Sequence, residues 1–296
     1  MLLDKLINKI KVRLKIYREK LRLQWIRFLL KSGRFNNNDK ITRFQFDEEW
    51  EGRIIKVMAS DCNSDIPRIA DAGNITRGFQ KMHNGIEIST GDYYGLPIAK
   101  MLYMNKGVHE PEEEKIFQSI LSKLPANPVM IEMGCFWAFY SMWFLKDTKS
   151  GKVYMIEPEK KNLSIGKKNL KKNHLQGSID NYFIGRSSST EDKIPVISLD
   201  NYIHKKSIGH INIAHADIQG YEMEMLQGAS TVLKNRQIDY FFISTHTNIL
   251  HYECVDFLKQ AGYEILFHLD IDHVSSFDGF IVAGSPNLTT KAKNLF

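Results

Sequence analysis

The chain reads as an open α/β sheet with helices on both faces, and three observations predict it. Val129-Met-Ile-Glu132-Met-Gly134 is an apolar run that ends in a carboxylate and a glycine turn. Val153-Tyr-Met-Ile-Glu157-Pro158 repeats that pattern 25 residues past Glu132. With the apolar stretch between them, the two runs form a βαβ unit of the kind that holds a ribose-containing cofactor. Beyond Glu110, apolar runs alternate with helical patterns, as a parallel sheet covered on both sides requires.

Ahead of that region the order is different. Leu3, Ile7, Ile10, Leu14, Tyr17, Leu21, Gln24 and Phe28 recur at spacings of four and three, so residues 2–32 read as a long amphipathic helix. Residues 1–34 hold 11 Lys or Arg against Asp4 and Glu19, a balance of +9, while the whole chain is +6. The basic pI is therefore the property of one segment, and a nucleic-acid-binding body is not expected. Three uses of the helix stand open: packing on the protein's own core, pairing with another helix in a homo-oligomer, or lying on an anionic membrane surface with Trp25 and Phe28 as anchors. Residues 40–105 show no firm periodicity apart from a short strand at Gly85–Gly91 and an aromatic turn, Asp92-Tyr93-Tyr94-Gly95. Such a segment reads as a cap or lid, and Tyr93 and Tyr94 are its candidate substrate contacts, with ordinary packing at a domain junction the alternative.

Glu110-Pro-Glu-Glu-Glu starts a helix with carboxylates and a proline in its first turn. Strands follow near 128–132, 152–156, 180–184, 210–216, 238–244, 263–268 and 277–283. Helices near 138–147, 159–173, 220–234 and 248–261 separate most of them. The last two strands follow each other directly and read as a hairpin. The three cysteines, Cys62, Cys135 and Cys254, form no paired motif, which favours a reducing compartment. No run approaches the ~18 apolar residues of a membrane span. A cytoplasmic location is expected, peripheral to the membrane if the basic helix binds lipid.

The turn after Glu132 is not G-x-G-x-x-G, because Phe136 and Ala138 stand where the second and third glycines belong. A dinucleotide needs that second glycine for its pyrophosphate. S-adenosylmethionine (SAM) has a ribose but no phosphate, so the loop points to SAM rather than NAD. Four further blocks carry a resemblance. Ile156-Glu-Pro with Asn162, Asn169 and Asn173, then Ala216-Asp217-Ile-Gln-Gly220-Tyr-Glu222 with Leu226, Gly228 and Ala229, then Phe242-Ile-Ser-Thr-His246, and finally Asp278-Gly-Phe-Ile-Val-Ala283 stand in this order. Together with Glu132-x-Gly134 and Phe139-Tyr-Ser141, they resemble the FkbM family of SAM-dependent methyltransferases over roughly residues 106–285. The resemblance implies a Rossmann-like class I methyltransferase sheet with helices on both faces and a terminal antiparallel strand. It divides the chain into a basic helix (1–34), a cap or lid region of irregular α+β structure (35–105), the SAM-dependent methyltransferase domain (106–286) and a tail (287–296). Ala138, where the family usually has glycine, is the clearest departure.

Glu132, Glu157, Asp217 and His246 all fall at expected strand ends, where an open α/β sheet binds its ligands. Glu157 suits the two ribose hydroxyls, since one carboxylate accepts both. Gly134 is expected to let backbone approach the cofactor, and Glu132 to orient the loop or meet the methionine ammonium. Cys135 and Ala138 neighbour the cofactor in the same loop, and Asp217 borders it from the next strand end. Asp217, His246 and Glu222 are the candidate catalytic groups for a hydroxyl acceptor. Glu222 in a first helical turn also fits a purely dipolar role. His215, His246, His251, His268 and His273 cluster late in the chain without metal-ligand spacing, and no metal is assigned. The expected acceptor is a small molecule or glycan. O-methylation of a sugar, glycan or secondary metabolite leads, with N-methylation of a peptide or amine, or a non-catalytic binding protein of the same fold, as alternatives.

Overall fold

The computed structural model describes residues 38–190 and 193–288, together with Tyr17, Leu21, Gln24, Trp25, Ile26 and Phe28. In chain order its elements are α1 (Glu48–Ala59), β1 (Ile75–Thr76), β2 (Phe79–Lys81), β3 (Glu87–Ser89), α2 (Leu96–Met104) and α3 (Pro111–Leu121). The α/β body follows with β4 (Val129–Met133), α4 (Phe139–Thr148), β5 (Lys152–Ile156), α5 (Lys160–Lys172), β6 (Ser178–Asp180), β7 (Phe183–Ile184) and β8 (Val196–Ile197). It closes with α6 (Leu199–Lys205), β9 (Ile211–Ala216), α7 (Glu222–Gln227), α8 (Ser230–Lys234), β10 (Ile238–Thr245), α9 (Asn248–Gln260), β11 (Glu264–Leu269) and β12 (Gly279–Gly284).

The main sheet has the order β11-β12-β10-β9-β4-β5-β6. Strands β10, β9, β4, β5 and β6 run parallel, and β12 lies antiparallel between β10 and β11. The topology therefore reverses between β4 and β9, and the crevice outside their carboxyl ends is where ligands bind in such sheets. Strand alternation sorts the core into two layers. Met130, Val153, Met155, Ile213 and Phe242 face one layer with α3, α4 and the segment between residues 54 and 102. Ile131, Met133, Ile156, Ala214 and Ile243 face the other, with α6 to α9. Residues Ile54, Val57, Met82 and Met101 belong to the same buried cluster as Phe117 and Phe139, so the cap region shares its core with the sheet.

Three expected elements differ in detail. The strand expected at 180–184 is broken, because the Asn181 side chain turns back to donate to the carbonyls of Glu157 (2.9 Å) and Pro158 (2.6 Å). β6 thus ends at Asp180, and β7 pairs with β8 in a separate two-stranded sheet. The helix expected at 220–234 is two, α7 and α8, broken at Gly228, where a Cβ would lie 2.4 Å from the Gly185 carbonyl oxygen. It also starts later than Gly220, with Tyr221 as its N-cap. Of the N-terminal helix, the six described positions are helical. Its stripe members Tyr17, Leu21, Gln24 and Phe28 are exposed, while Ile26 is buried against Ile41, Ile75, Leu96 and Ala99. The rest of residues 1–37 and the tail from 289 lie outside the described residues.

Candidate active site

The loop after β4 is built around one close approach. Gly134 has φ 76, and a Cβ there would lie 1.8 Å from the Asp217 carbonyl oxygen. The glycine is thus required by the neighbouring strand end, and it lets β4 and β9 open side by side. The Gly134 and Cys135 amides donate to the Ile156 carbonyl at 2.9 and 3.1 Å, tying the loop to β5. Phe136 and Ala138 sit at φ 39 and 61, a left-handed geometry that costs a non-glycine residue roughly 1–2 kcal/mol. Ala138 is the N-cap of α4 and offers no side-chain acceptor. That task passes to Glu132. By alternation Glu132 points into the α4 layer, where its Oε2 accepts from the Ser141 amide (3.1 Å) and from the Ser141 hydroxyl. A carboxylate from the sheet therefore satisfies an orphan donor of the helix start.

Glu157 holds the same loop from the other side. Its Oε2 accepts from the Phe136 amide at 3.0 Å and its Oε1 from the Glu159 amide at 2.8 Å. The Asn162 side chain is a third hydrogen-bond partner of the same carboxylate. Burial pushes this carboxyl up, against the pull of those two amides. Glu157 lines a cavity of about 590 Å³ with Gly134, Phe136, Asn162, Tyr94 and Asp217. Tyr182, Phe183, Ile184 and Ile194 form its apolar far wall. Its size is that of an ordinary small-ligand pocket.

Asp217, His246 and Glu222 come together at the ends of β9 and β10. His246 Nε2 lies 3.3 Å from Asp217 Oδ1 and 3.5 Å from Asp278 Oδ1, and its Nδ1 lies 3.2 Å from Glu222 Oε1. Burial alone would lower this histidine, but Asp217, Glu222 and Asp278 outweigh it and raise it to about 10. Gln219 Nε2 donates to Asp217 Oδ1 at 2.8 Å and also sits 2.8 Å from His246 Nε2, the single contact that favours a neutral ring. Three carboxylates against one amide leave the ring cationic at neutral pH. Burial raises Asp278 to about 6, against the pull of His246. Glu222 is fully buried and accepts from the Ile218 and Gly220 amides at 3.2 Å, and of Asp217, Glu222, His246 and Asp278 it is Asp217 that lines the cavity. The geometry is thus more than a charge at a helix start.

A second cluster lies behind the first, and strand alternation explains its position. Glu132, His215 and Ser244 project from β4, β9 and β10 into one layer, facing the start of α3. There Glu113 Oε1 meets His215 Nε2 at 2.6 Å. Glu110 accepts from the Tyr140 hydroxyl at 2.9 Å. His109 is bracketed by Glu110 (3.1 Å) and Glu114 (2.6 Å), and His83 reaches Glu114 at 3.2 Å. Burial opposes the His109 cation, but Glu110 and Glu114 raise it to about 10. Burial pushes Glu113 well up, with Glu110 and Asp217 adding to the effect. A small inner cavity joins this cluster to the larger one through Gly134, Phe136 and Asp217, and Tyr93 and Cys135 line it. Tyr93 is stacked on Trp137 with centroids 3.9 Å apart, whereas Tyr94 stands half exposed in the large cavity. Cys135 is buried, and burial pushes its thiol well up. Ala138 is likewise buried and acts through the shape of the loop. Among the described residues, no three His, Cys, Asp or Glu are placed to hold a metal ion.

Sequence reasoning missed His109, Glu110, Glu113, Glu114 and the apolar wall of Tyr182, Phe183, Ile184 and Ile194. Acids at a helix start are normally solvated, so nothing in Glu110-Pro-Glu-Glu-Glu announces burial. The one usable signal was His109, directly before that run.

With the sheet order and the strand-end cavity in place, residues 122–265 match the methyltransferase FkbM domain. The chain carries an FkbM methyltransferase domain. Its activity is SAM-dependent methyl transfer, and its cofactor is SAM. Solved structures similar to it include precorrin-6y C5,15-methyltransferase from Geobacter metallireducens, with 14% identity, 58% of this chain and 88% of that one covered, and a TM-score of 0.41. M. capricolum TrmK in complex with S-adenosyl-homocysteine shows 17% identity, 59% and 71% coverage and a TM-score of 0.38. A SAM dependent methyltransferase from Aquifex aeolicus shows 16% identity, 59% and 93% coverage and a TM-score of 0.37. No curated protein matches the chain. The FkbM domain begins within the segment after α3 and spans β4 to β11, so Asp278 and α3 lie outside the matched residues.

Proposed function

We propose that the FkbM domain methylates a hydroxyl group of a sugar, glycan or secondary metabolite. One observation carries this reading: the cavity and the Asp217, His246 and Asp278 cluster lie at the same end of the sheet and share Asp217. The residues present fit SAM. Glu157 presents to the cavity a carboxylate able to accept from ribose hydroxyls. Tyr182, Phe183 and Ile184 offer an apolar wall to adenine. The Gly134 loop, with Cys135 behind it and Ala138 setting its curvature, borders the methionine end together with Asp217. When bound, SAM supplies a methyl group already activated on a sulfonium. The protein's part is then alignment, plus removal of the acceptor's proton.

His246 is placed to hold a proton rather than to take one, because both its nitrogens face carboxylates. The base is Asp217, which borders the cavity, with Asp278 beside it. Glu222 positions His246, and Tyr94 forms the acceptor side of the pocket, with Tyr93 supporting it from the inner cavity. A carboxylate at the acceptor position suits a hydroxyl, whose proton must leave as the methyl is transferred.

The cofactor assignment is tested by thermal shift with SAM and with S-adenosyl-homocysteine. Glu157→Ala is expected to remove most of the shift while the ligand-free melting temperature stays within a few degrees, since any ligand of the folded state must raise it. A full shift in the folded variant refutes the ribose role. The hydroxyl assignment is tested with isotope-labelled SAM and a panel of glycans, hydroxylated metabolites and amines, with the labelled atom located by mass spectrometry. Label on nitrogen alone overturns it, and Asp217→Asn is expected to lower transfer by about 10² or more with SAM binding retained.

A further inference from the structure

We infer that the N-terminal helix lays the face formed by Tyr17, Leu21, Trp25 and Phe28 onto an anionic membrane surface, with its back held to the protein by Ile26. At 100° per residue, positions 17, 21, 24, 25 and 28 fall within about 100° of arc, and position 26 lies opposite them. Burial follows that division. Ile26 is 6% exposed and packs with Ile41, Ile75, Leu96 and Ala99, while Tyr17, Leu21, Trp25 and Phe28 are 47–60% exposed. Trp25 and Phe28 stack on each other with centroids 5.5 Å apart, forming one aromatic surface. The protein's own core is thus already served by the other side of the helix.

Charge decides what covers the free face. If the stripe were the seam of a two-helix coil, the positions flanking it between residues 11 and 27 would face the partner's. These are Lys11, Arg13, Arg18, Lys20, Trp25 and Arg27, basic at every position but the tryptophan. A second copy would bring the same charges against them and add a further +9 to the contact. Anionic headgroups neutralise that charge instead, around a shallowly inserted aromatic face. Lys or Arg interrupts residues 1–34 every few positions, so no apolar run there is long enough to span and the contact lies in the interface plane. Leu96 and Ala99, against which Ile26 packs, belong to α2, the helix that starts directly after Tyr93 and Tyr94. The docked helix therefore sits on the element that carries the aromatic side of the acceptor pocket.

The test uses the full-length protein and sedimentation with phosphatidylcholine vesicles, with and without phosphatidylglycerol. Binding is expected only with phosphatidylglycerol and is expected to fall steeply as salt rises toward about 0.5 M. Trp25→Ser with Phe28→Ser, and separately Arg13→Glu with Lys20→Glu and Arg27→Glu, are each expected to weaken binding about tenfold or more, with the SAM thermal shift unchanged. Light scattering on the same proteins should show that neither set alters the oligomeric state. Absence of wild-type binding overturns the inference. So does a dimer, stable in salt, that the Trp25 and Phe28 changes dissociate. A drop in melting temperature from those changes without any wild-type vesicle binding also overturns it, returning the face to the protein's own packing.

Discussion

Glu132 shows how a single residue acquires a role that its neighbours lack the atoms to fill. Ala138 cannot cap α4, so the strand carboxylate does. Burial, opposed by His215 and Ser141, raises this carboxyl from 4.5 to about 7. The folded protein therefore binds its proton more tightly than the unfolded chain does. The stabilisation is complete below about pH 4.5 and is lost as pH rises through 7, on the order of 3 kcal/mol in all. Glu132→Gln, whose amide oxygen still accepts from Ser141, is expected to flatten the fall of denaturant-measured stability between these values. An unchanged pH slope would show that the group titrates normally. The strand-end acids and His246 were legible because one apolar run after another stops on them. Their charge states were not. His246 carries no local mark of the three carboxylates that surround it, since Asp217, Glu222 and Asp278 all lie far away along the chain.

At the scale of elements, legibility followed pattern. Strands β4, β5, β9 and β10 are nearly continuous apolar runs, so they could be placed to within a residue or two, whereas the three residues of β6 carry no such run. α1 could not be placed, since its buried side is only Arg53, Ile54 and Val57 in a helix that carries five charged residues. α2 is buried on nearly every side, including Lys100, so it has no polar face to set a period. The single helix expected at 220–234 fails for a reason that lies in space. Gly228 has an ordinary helical-side φ of −79, and by propensity alone Gly228→Ala should stabilise a continuous helix by roughly 1 kcal/mol. The Gly185 carbonyl, 2.4 Å from where that Cβ would stand, predicts the opposite sign. Gly228→Ala is expected to cost about 2 kcal/mol or more, measured by urea unfolding, and a stabilised variant would return the segment to one helix.

For the molecule as a whole, the buried acid and histidine clusters set a pH response. Burial raises Asp278 from 3.8 to about 6. Neighbouring carboxylates, overcoming burial, raise His109 and His246 from 6.5 to about 10. All three, like Glu132, bind protons more tightly in the folded state, so their contributions are lost as pH rises. Glu110 and Glu114 run the other way, because His109 holds them below their ordinary value despite burial, and their contribution is lost as pH falls below about 4.5. His215 and His251, lowered by burial, oppose this below about pH 6.5, so stability without ligand is expected to decline from about pH 7 to pH 9, where His109 and His246 lose their protons, and a flat or rising curve over that range would refute the charge assignment. The antiparallel β12 has a consequence for how the protein is made. It is the last of the described strands to leave the ribosome, yet it fills the slot between β10 and β11. Until residues 279–284 emerge, β10 presents a bare hydrogen-bonding edge and His246 waits for Asp278, so an interrupted translation product would be adhesive as well as inactive.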